Sequence, residues 1–157
     1  MRRWKGATTL RAGVLALALA SMAGTAAELA MERHWNSPVK LVPWFALGAL
    51  LAIWPVATWV PRAGRWVVWG VCVAVVGVSG FGVYEHILEN HTAGPLDFRY
   101  AARWDSMPTV EQWWQAATKG VGPAPVLAAG VLTQSACLIA LATLVPVSTG
   151  CDSTKAA

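Results

Sequence analysis

Long uncharged runs constrain this chain more than any other feature. Residues 12–27, 41–61, 66–84 and 120–150 contain no Asp, Glu, Lys or Arg. A bilayer core about 30 Å thick is crossed by about 20 helical residues, and the second, third and fourth runs reach that length. Helices of a water-soluble domain keep a polar face. These runs have none, so lipid is the expected solvent. Pro55 lies inside the second run, which membrane helices tolerate. Gly120-Val-Gly-Pro-Ala-Pro125 reads as a stop and restart, so the last helix is predicted to begin near Pro125.

Composition agrees. Only 13% of the residues are charged, against about 25% in an average soluble domain, and the ten tryptophans suit membrane–water interfaces. The basic residues flank the apolar runs and form no domain of their own, so the net charge of +4 reflects membrane topology and not nucleic-acid binding. Cys72, Cys137 and Cys151 are odd in number and lack C-x-x-C spacing, which removes a disulfide framework and a zinc signature. Cys72 and Cys137 read as small apolar fillers. Ser148-Thr-Gly-Cys151 has the form of a lipoprotein cleavage box, but it follows the last span on the cytoplasmic side. Gly77, Gly80 and Gly82 allow close helix approach; with no strand before them they form no nucleotide loop. No Ser/His/Asp arrangement is present. A membrane thiol oxidase would need paired outer cysteines, and a haem-binding bundle would need histidines within its spans.

Lys and Arg mark the cytoplasmic side of a membrane protein. Arg2, Arg3, Lys5 and Arg11 precede or begin the first run, and Arg62 and Arg65 fill the short link between the second and third. The long 85–119 loop is mixed, with Glu85, Glu89, Asp97, Asp105 and Glu111 against Arg99, Arg103 and Lys119. Four transmembrane helices with both termini in the cytoplasm follow, in the inner membrane of a bacterium, to which the Ala-, Gly-, Val-, Trp- and Arg-rich usage points. The first run also has the three-part layout of a secretory signal peptide, and cleavage after Ala23 or Ala27 would leave three helices.

An internal repeat favours four. Glu28-Leu-Ala-Met-Glu32-Arg-His34 aligns with Glu85-His-Ile-Leu-Glu89-Asn-His91, each E-x-x-x-E-x-H and each followed by a proline at the same distance, Pro38 and Pro95. The even-numbered helices match as well, ending Ala57-Thr-Trp-Val-Pro61 and Ala142-Thr-Leu-Val-Pro146. The expected fold is an all-α, four-helix transmembrane bundle forming a single membrane domain over residues 1–157. It is a tandem duplication of a two-helix hairpin, with repeat 1 at about 10–61 and repeat 2 at about 66–147, the latter carrying an insertion at 96–122. The copies share one orientation, unlike the inverted repeats of many transporters. Removing residues up to Ala27 would delete the partner of the third helix.

Four of the five glutamates and two of the three histidines lie in the repeated motif. On a helix Glu28 and Glu32 stand about 40° apart, as do Glu85 and Glu89. Stepping back in fours from Glu28 gives Gly24, Ala20, Ala16 and Ala12, a small-residue stripe predicted to be a packing face. His34 and His91 fall about 240° away and join the carboxylates only where the helix ends or turns. Two readings follow. In one, Glu28, Glu32, His34, Glu85, Glu89 and His91, with His86 as an alternative ligand, form a carboxylate/histidine metal site at the outer face. That ligand set suits Fe, Mn or Zn, in an enzyme or a metal-handling protein. In the other, the carboxylates are helix-end charges paired with Arg33, Lys40 and Arg99, and the chain is a non-catalytic structural or assembly subunit of a larger membrane complex. Its partners are then the lipid bilayer and another membrane protein or a second copy.

The insertion predicts a short interfacial helix. Asp105 or Ser106 before Pro108 starts it, Thr109 and Gln112 form a capping box, and Gly120 ends it. Val110, Trp113, Trp114 and Ala117 make its apolar side, with Trp113 and Trp114 as anchors in the headgroups, or as parts of a lid or docking surface. Thr133, Gln134 and Ser135 are expected to hydrogen-bond between helices.

Overall fold

The computed structural model describes residues 2–59 and 64–145. Every regular element in them is helical. The helices are α1 (Arg2–Met31), α2 (Pro38–Trp59), α3 (Arg65–Ala93), α4 (Thr109–Ala117) and α5 (Gly130–Ala142), with 3₁₀ turns at Gly94–Leu96 and Trp104–Ser106. Cys151, the cleavage-box sequence and the prolines Pro61 and Pro146 lie outside the described residues.

Three of the helices are long and apolar enough to cross a membrane, over Gly6–Met31, Pro38–Thr58 and Arg65–Leu96. Only 22%, 28% and 22% of their most apolar windows are buried inside the protein. In water that outward apolar surface would forfeit roughly 25 cal/mol per Å²; in lipid it is matched to its surroundings. The arrangement is compatible with a multi-pass membrane protein.

The fourth run differs from expectation. Its α-helix has 13 residues, about 20 Å at 1.5 Å per residue, which alone is short of a bilayer core. Pro123 and Pro125 supply no N–H, and tighter three-residue turns replace α-geometry at both ends. Ala128 N–H donates to Pro125 O (2.9 Å), Gly130 N–H to Leu127 O (2.9 Å), and Leu144 N–H to Leu141 O (2.9 Å).

α1, α2, α3 and α5 share one apolar core. α1 buries Arg11, Leu15, Ala18, Met22 and Thr25, and α3 buries Val68, Cys72, Val75 and Ser79. Both seams alternate steps of four and three, the spacing of bundle helices. The predicted stripe is therefore displaced: Ala12, Ala16, Ala20 and Gly24 are all exposed. Steps of four drift about 40° each around a helix, whereas the alternating seam holds its face toward the core. Among the α3 glycines only Gly82 meets a neighbour closely. A Cβ there would stand 2.9 Å from Ala129 Cβ, while Gly77 and Gly80 have open space. Cys72 is buried and Cys137 exposed, so only the first is a core filler.

α1 contacts α2 and α5, and α3 contacts the same two helices; α2 and α5 also meet each other. α1 and α3 therefore stand across the bundle from one another, not side by side. Polar groups tie the helices together. The buried Arg11 guanidinium donates to Ala57 O near the end of α2, a carbonyl whose usual donor four residues on is a proline, Pro61. Indole N–H groups of Trp44, Trp54 and Trp69 donate to His34 O (2.8 Å), Leu15 O (2.9 Å) and Thr143 Oγ1 (3.1 Å). Ser135, by contrast, returns its hydroxyl to Val131 O of its own helix (3.0 Å), and Gln134 is exposed.

Candidate functional site

How each copy of the motif ends decides what it contributes. α1 stops at Met31, and Arg33 takes the left-handed conformation (φ 48°). His34 N–H then donates to Leu29 O (2.8 Å) and Arg33 N–H to Ala30 O (3.1 Å), the paired bonds of a Schellman termination. The turn swings His34 off its helical course and onto the side of the carboxylates. In the second copy α3 continues to Ala93, and His91 keeps its helical direction, away from Glu85 and Glu89. It stacks on Trp113 (centroids 4.3 Å) and meets the edge of Trp104 (5.5 Å). Its buried Nε2 has no partner among the described residues.

The α1 and α3 motifs converge on one cavity of about 670 Å³ at the end of the bundle that carries the α1–α2 link. Glu28, Glu32, His34, Glu85, His86 and Glu89 all line it, and His91 does not. His86, the alternative ligand, thus takes the place expected of His91. Val39 and Pro43 of α2, Val78 and Phe81 of α3, and Pro123–Pro125 with Leu132 supply apolar wall. Lys40 is the one Lys or Arg in the lining.

Electrostatics tie the two sides of the cavity together. Desolvation chiefly holds the His34 pKa below its ordinary value; Lys40 and His86 act in the same direction, and Glu32 and Glu89 oppose them. The coupling to His86 and Glu89 runs from the α1 side to α3. No glutamate of the cavity is in an ion pair among the described residues, where the only salt bridge is Arg99–Asp97 (2.7 Å). The expected pairing of the four carboxylates with Arg33, Lys40 and Arg99 is absent there. Arg99 instead holds Asp97 down to about 2, mainly by side-chain hydrogen bonding. Among the described residues no three His, Cys, Asp or Glu side chains are grouped to hold a metal ion. α1 and α3, being diagonal, bring the carboxylates to one cavity but not to one point.

No family model, curated protein or solved structure matches the chain. What the site does rests on its own chemistry.

Residues not singled out in the sequence complete it. Ser79 is 3% exposed, its Oγ has no partner among the described residues, and it lines the cavity. It is the lone serine of its apolar run, seven residues before His86 and so on the same face. Asn90, 0% exposed, fixes the cavity wall at Pro123–Pro125. Its Nδ2 donates to Ala116 O (3.2 Å) and Ala124 O (3.0 Å), and its Oδ1 accepts from Ala124 N–H (2.8 Å). Gly122 (φ 75°) passes so close that a Cβ would lie 2.6 Å from Asn90 Cα.

The short helix forms where expected, as α4, but turns differently. Gln112 Nε2 donates to Trp104 O (2.7 Å), and no side-chain cap closes the N-terminus. The buried residue is Ala116, with Trp104, Met107 and Val121 beside it. Val110 and Trp114 face outward, 81% and 65% exposed. The two proposed anchors therefore divide: Trp113 packs on His91, and Trp114 is free to meet an interface.

Proposed function

We propose that this chain is a multi-pass protein of the bacterial cytoplasmic membrane whose cavity, opening on the outer side, binds a cation. The observation that carries the reading is the convergence of Glu28, Glu32, Glu85 and Glu89 on one cavity with only Lys40 as an opposing fixed charge. Four carboxylates in one lining, against a single lysine, make its fixed charge negative and complementary to a cation. His34 and His86 add imidazole nitrogens to the same lining. On this reading α5 crosses as a fourth helix, its tight end turns extending it, and both termini lie inside. α1 stays in the mature protein, because Leu15, Ala18 and Met22 belong to the shared core. The tandem duplication is supported by the bundle's arrangement. Two parallel copies of a hairpin related by a two-fold along the bundle axis place their first helices diagonally, as α1 and α3 stand.

The cation is either a divalent metal (Fe, Mn or Zn) or an organic ammonium. Calorimetric titration of the protein in lipid nanodiscs with Mn²⁺, Zn²⁺ and phenethylammonium, repeated on Glu28→Gln/Glu85→Gln, tests the site. Binding by at least one of them, lost in the variant while thermal unfolding is retained, is expected. Failure of all three to bind overturns the reading.

A second reading, a non-catalytic assembly subunit, is favoured by the insertion's outward face. Leu96, Phe98, Val110 and Trp114 are 85%, 91%, 81% and 65% exposed, more apolar surface than a water-facing loop ordinarily leaves open.

A further inference from the structure

We propose that the cavity takes an organic ammonium with an apolar body and a hydrogen-bonding atom at its far end, not a bare metal ion. The proposal deepens, and rests on, the cation-site reading. Volume is the first argument. About 670 Å³ falls within the 300–1,000 Å³ range of pockets for small organic molecules, and a lone ion would leave most of it unfilled. Distribution of charge is the second. Glu28, Glu32 and Glu89 are exposed at the open side of the lining, while Val78 is half-buried and Leu132 buried in the same lining. An ammonium at the mouth satisfies the first group, and only an apolar body satisfies the second.

Ser79 supplies the third argument. It lies six residues before Glu85 on α3, about 9 Å deeper at 1.5 Å per residue. A hydroxyl in an apolar helix ordinarily bonds back to its own turn. Thr25, also in the lining, does so with Ser21 O (3.0 Å), and Ser135 does so with Val131 O (3.0 Å). Ser79, 3% exposed, does not, and its Oγ is left without a partner among the described residues. A buried hydroxyl so placed has lost its water without replacement. A donor or acceptor at the inner end of the ligand restores the bond.

Titration calorimetry of the full chain in nanodiscs, blanked against empty discs, separates these features with five probes: tyramine, phenethylamine, 4-hydroxyphenethyl alcohol, methylamine and Mn²⁺. Tyramine is expected to bind, with the uncharged alcohol and the bodiless methylamine each weaker by about tenfold or more. Glu28→Gln/Glu85→Gln should weaken tyramine by about the same factor, with Glu32→Gln/Glu89→Gln as the second pair should the first not fold. Ser79→Ala should abolish the preference for tyramine over phenethylamine. Binding of Mn²⁺ with no binding of either aromatic amine overturns the ligand class while the cation site stands. Methylamine as tight as tyramine overturns the apolar body, and a preference unmoved by Ser79→Ala overturns the inner contact. Silence from all five, and from Zn²⁺ as well, overturns the site itself.

Discussion

Asn90→Ala is the substitution whose cost can be worked most directly from the structure. The side chain is fully buried and makes three hydrogen bonds, at 2.8, 3.0 and 3.2 Å, all to backbone of residues 116 and 124. At about 1 kcal/mol net for each, the loss is about 3 kcal/mol, and it rises toward about 5 if water cannot reach the freed groups. The cost is local. It loosens the insertion and the cavity wall at Pro123–Pro125 without touching the core of α1, α2, α3 and α5. Hydrogen exchange at the Ala124 amide reads it, with protection expected to fall about a hundredfold for about 3 kcal/mol. Chymotryptic cleavage near Phe98 and Tyr100 should accelerate in parallel. Asn90→Asp sharpens the test, because a carboxylate keeps an acceptor for Ala124 N–H but sets its other oxygen against two carbonyls. It should cost at least as much as alanine at neutral pH. Protection within about threefold of the wild type in Asn90→Ala, or a milder effect from Asp than from Ala, would refute the reasoning.

Arg33 holds a left-handed conformation that a side chain resists by roughly 1–2 kcal/mol. Arg33→Gly should therefore raise stability by about 1 kcal/mol, seen as a thermal midpoint a few degrees higher in nanodiscs; a lower midpoint would show that the arginine side chain matters more than its backbone. For His34, desolvation, Lys40 and His86 hold the folded-state pKa down against Glu32 and Glu89. As pH falls through about 6.5, the unfolded chain takes up the proton before the folded one, so stability is lost on the acid side. His34→Gln should flatten the stability profile below about pH 6.5, and parallel profiles for variant and wild type would remove His34 from the account.

The three candidate spans are legible in the sequence because each is marked by a run of residues without charge. α1, α2 and α3 fall where the runs do. α5 is shorter than its run because Pro123 and Pro125 cannot donate and the chain enters through three-residue turns, a matter of backbone bonding that hydropathy does not register. On α1 small residues in steps of four mimic a packing face, while the seam that packs, through Arg11 and Thr25 among others, is chemically mixed. Six of the seven candidate ligand residues line the cavity. His91 departs for a reason no spacing records: the chain turns left-handed at Arg33 in one copy and remains helical at Asn90 in the other.

That difference also accounts for the asymmetry of the site. Where α1 stops, a short link leads straight into α2, and His34 is folded back toward the carboxylates. Where α3 runs on, the long connection between α3 and α5 must be anchored to the helix, and Asn90 is the residue that anchors it. The position that ends the helix after the first motif thus holds the Pro123–Pro125 wall after the second, while the glutamates before it line one cavity in both cases. On the duplication reading, the two motifs meet because diagonal helices of a two-fold bundle present equivalent residues toward a common axis. Divergence could then proceed one position beyond each glutamate pair, building a wall on one side and a histidine turn on the other, without moving the charges that define the mouth.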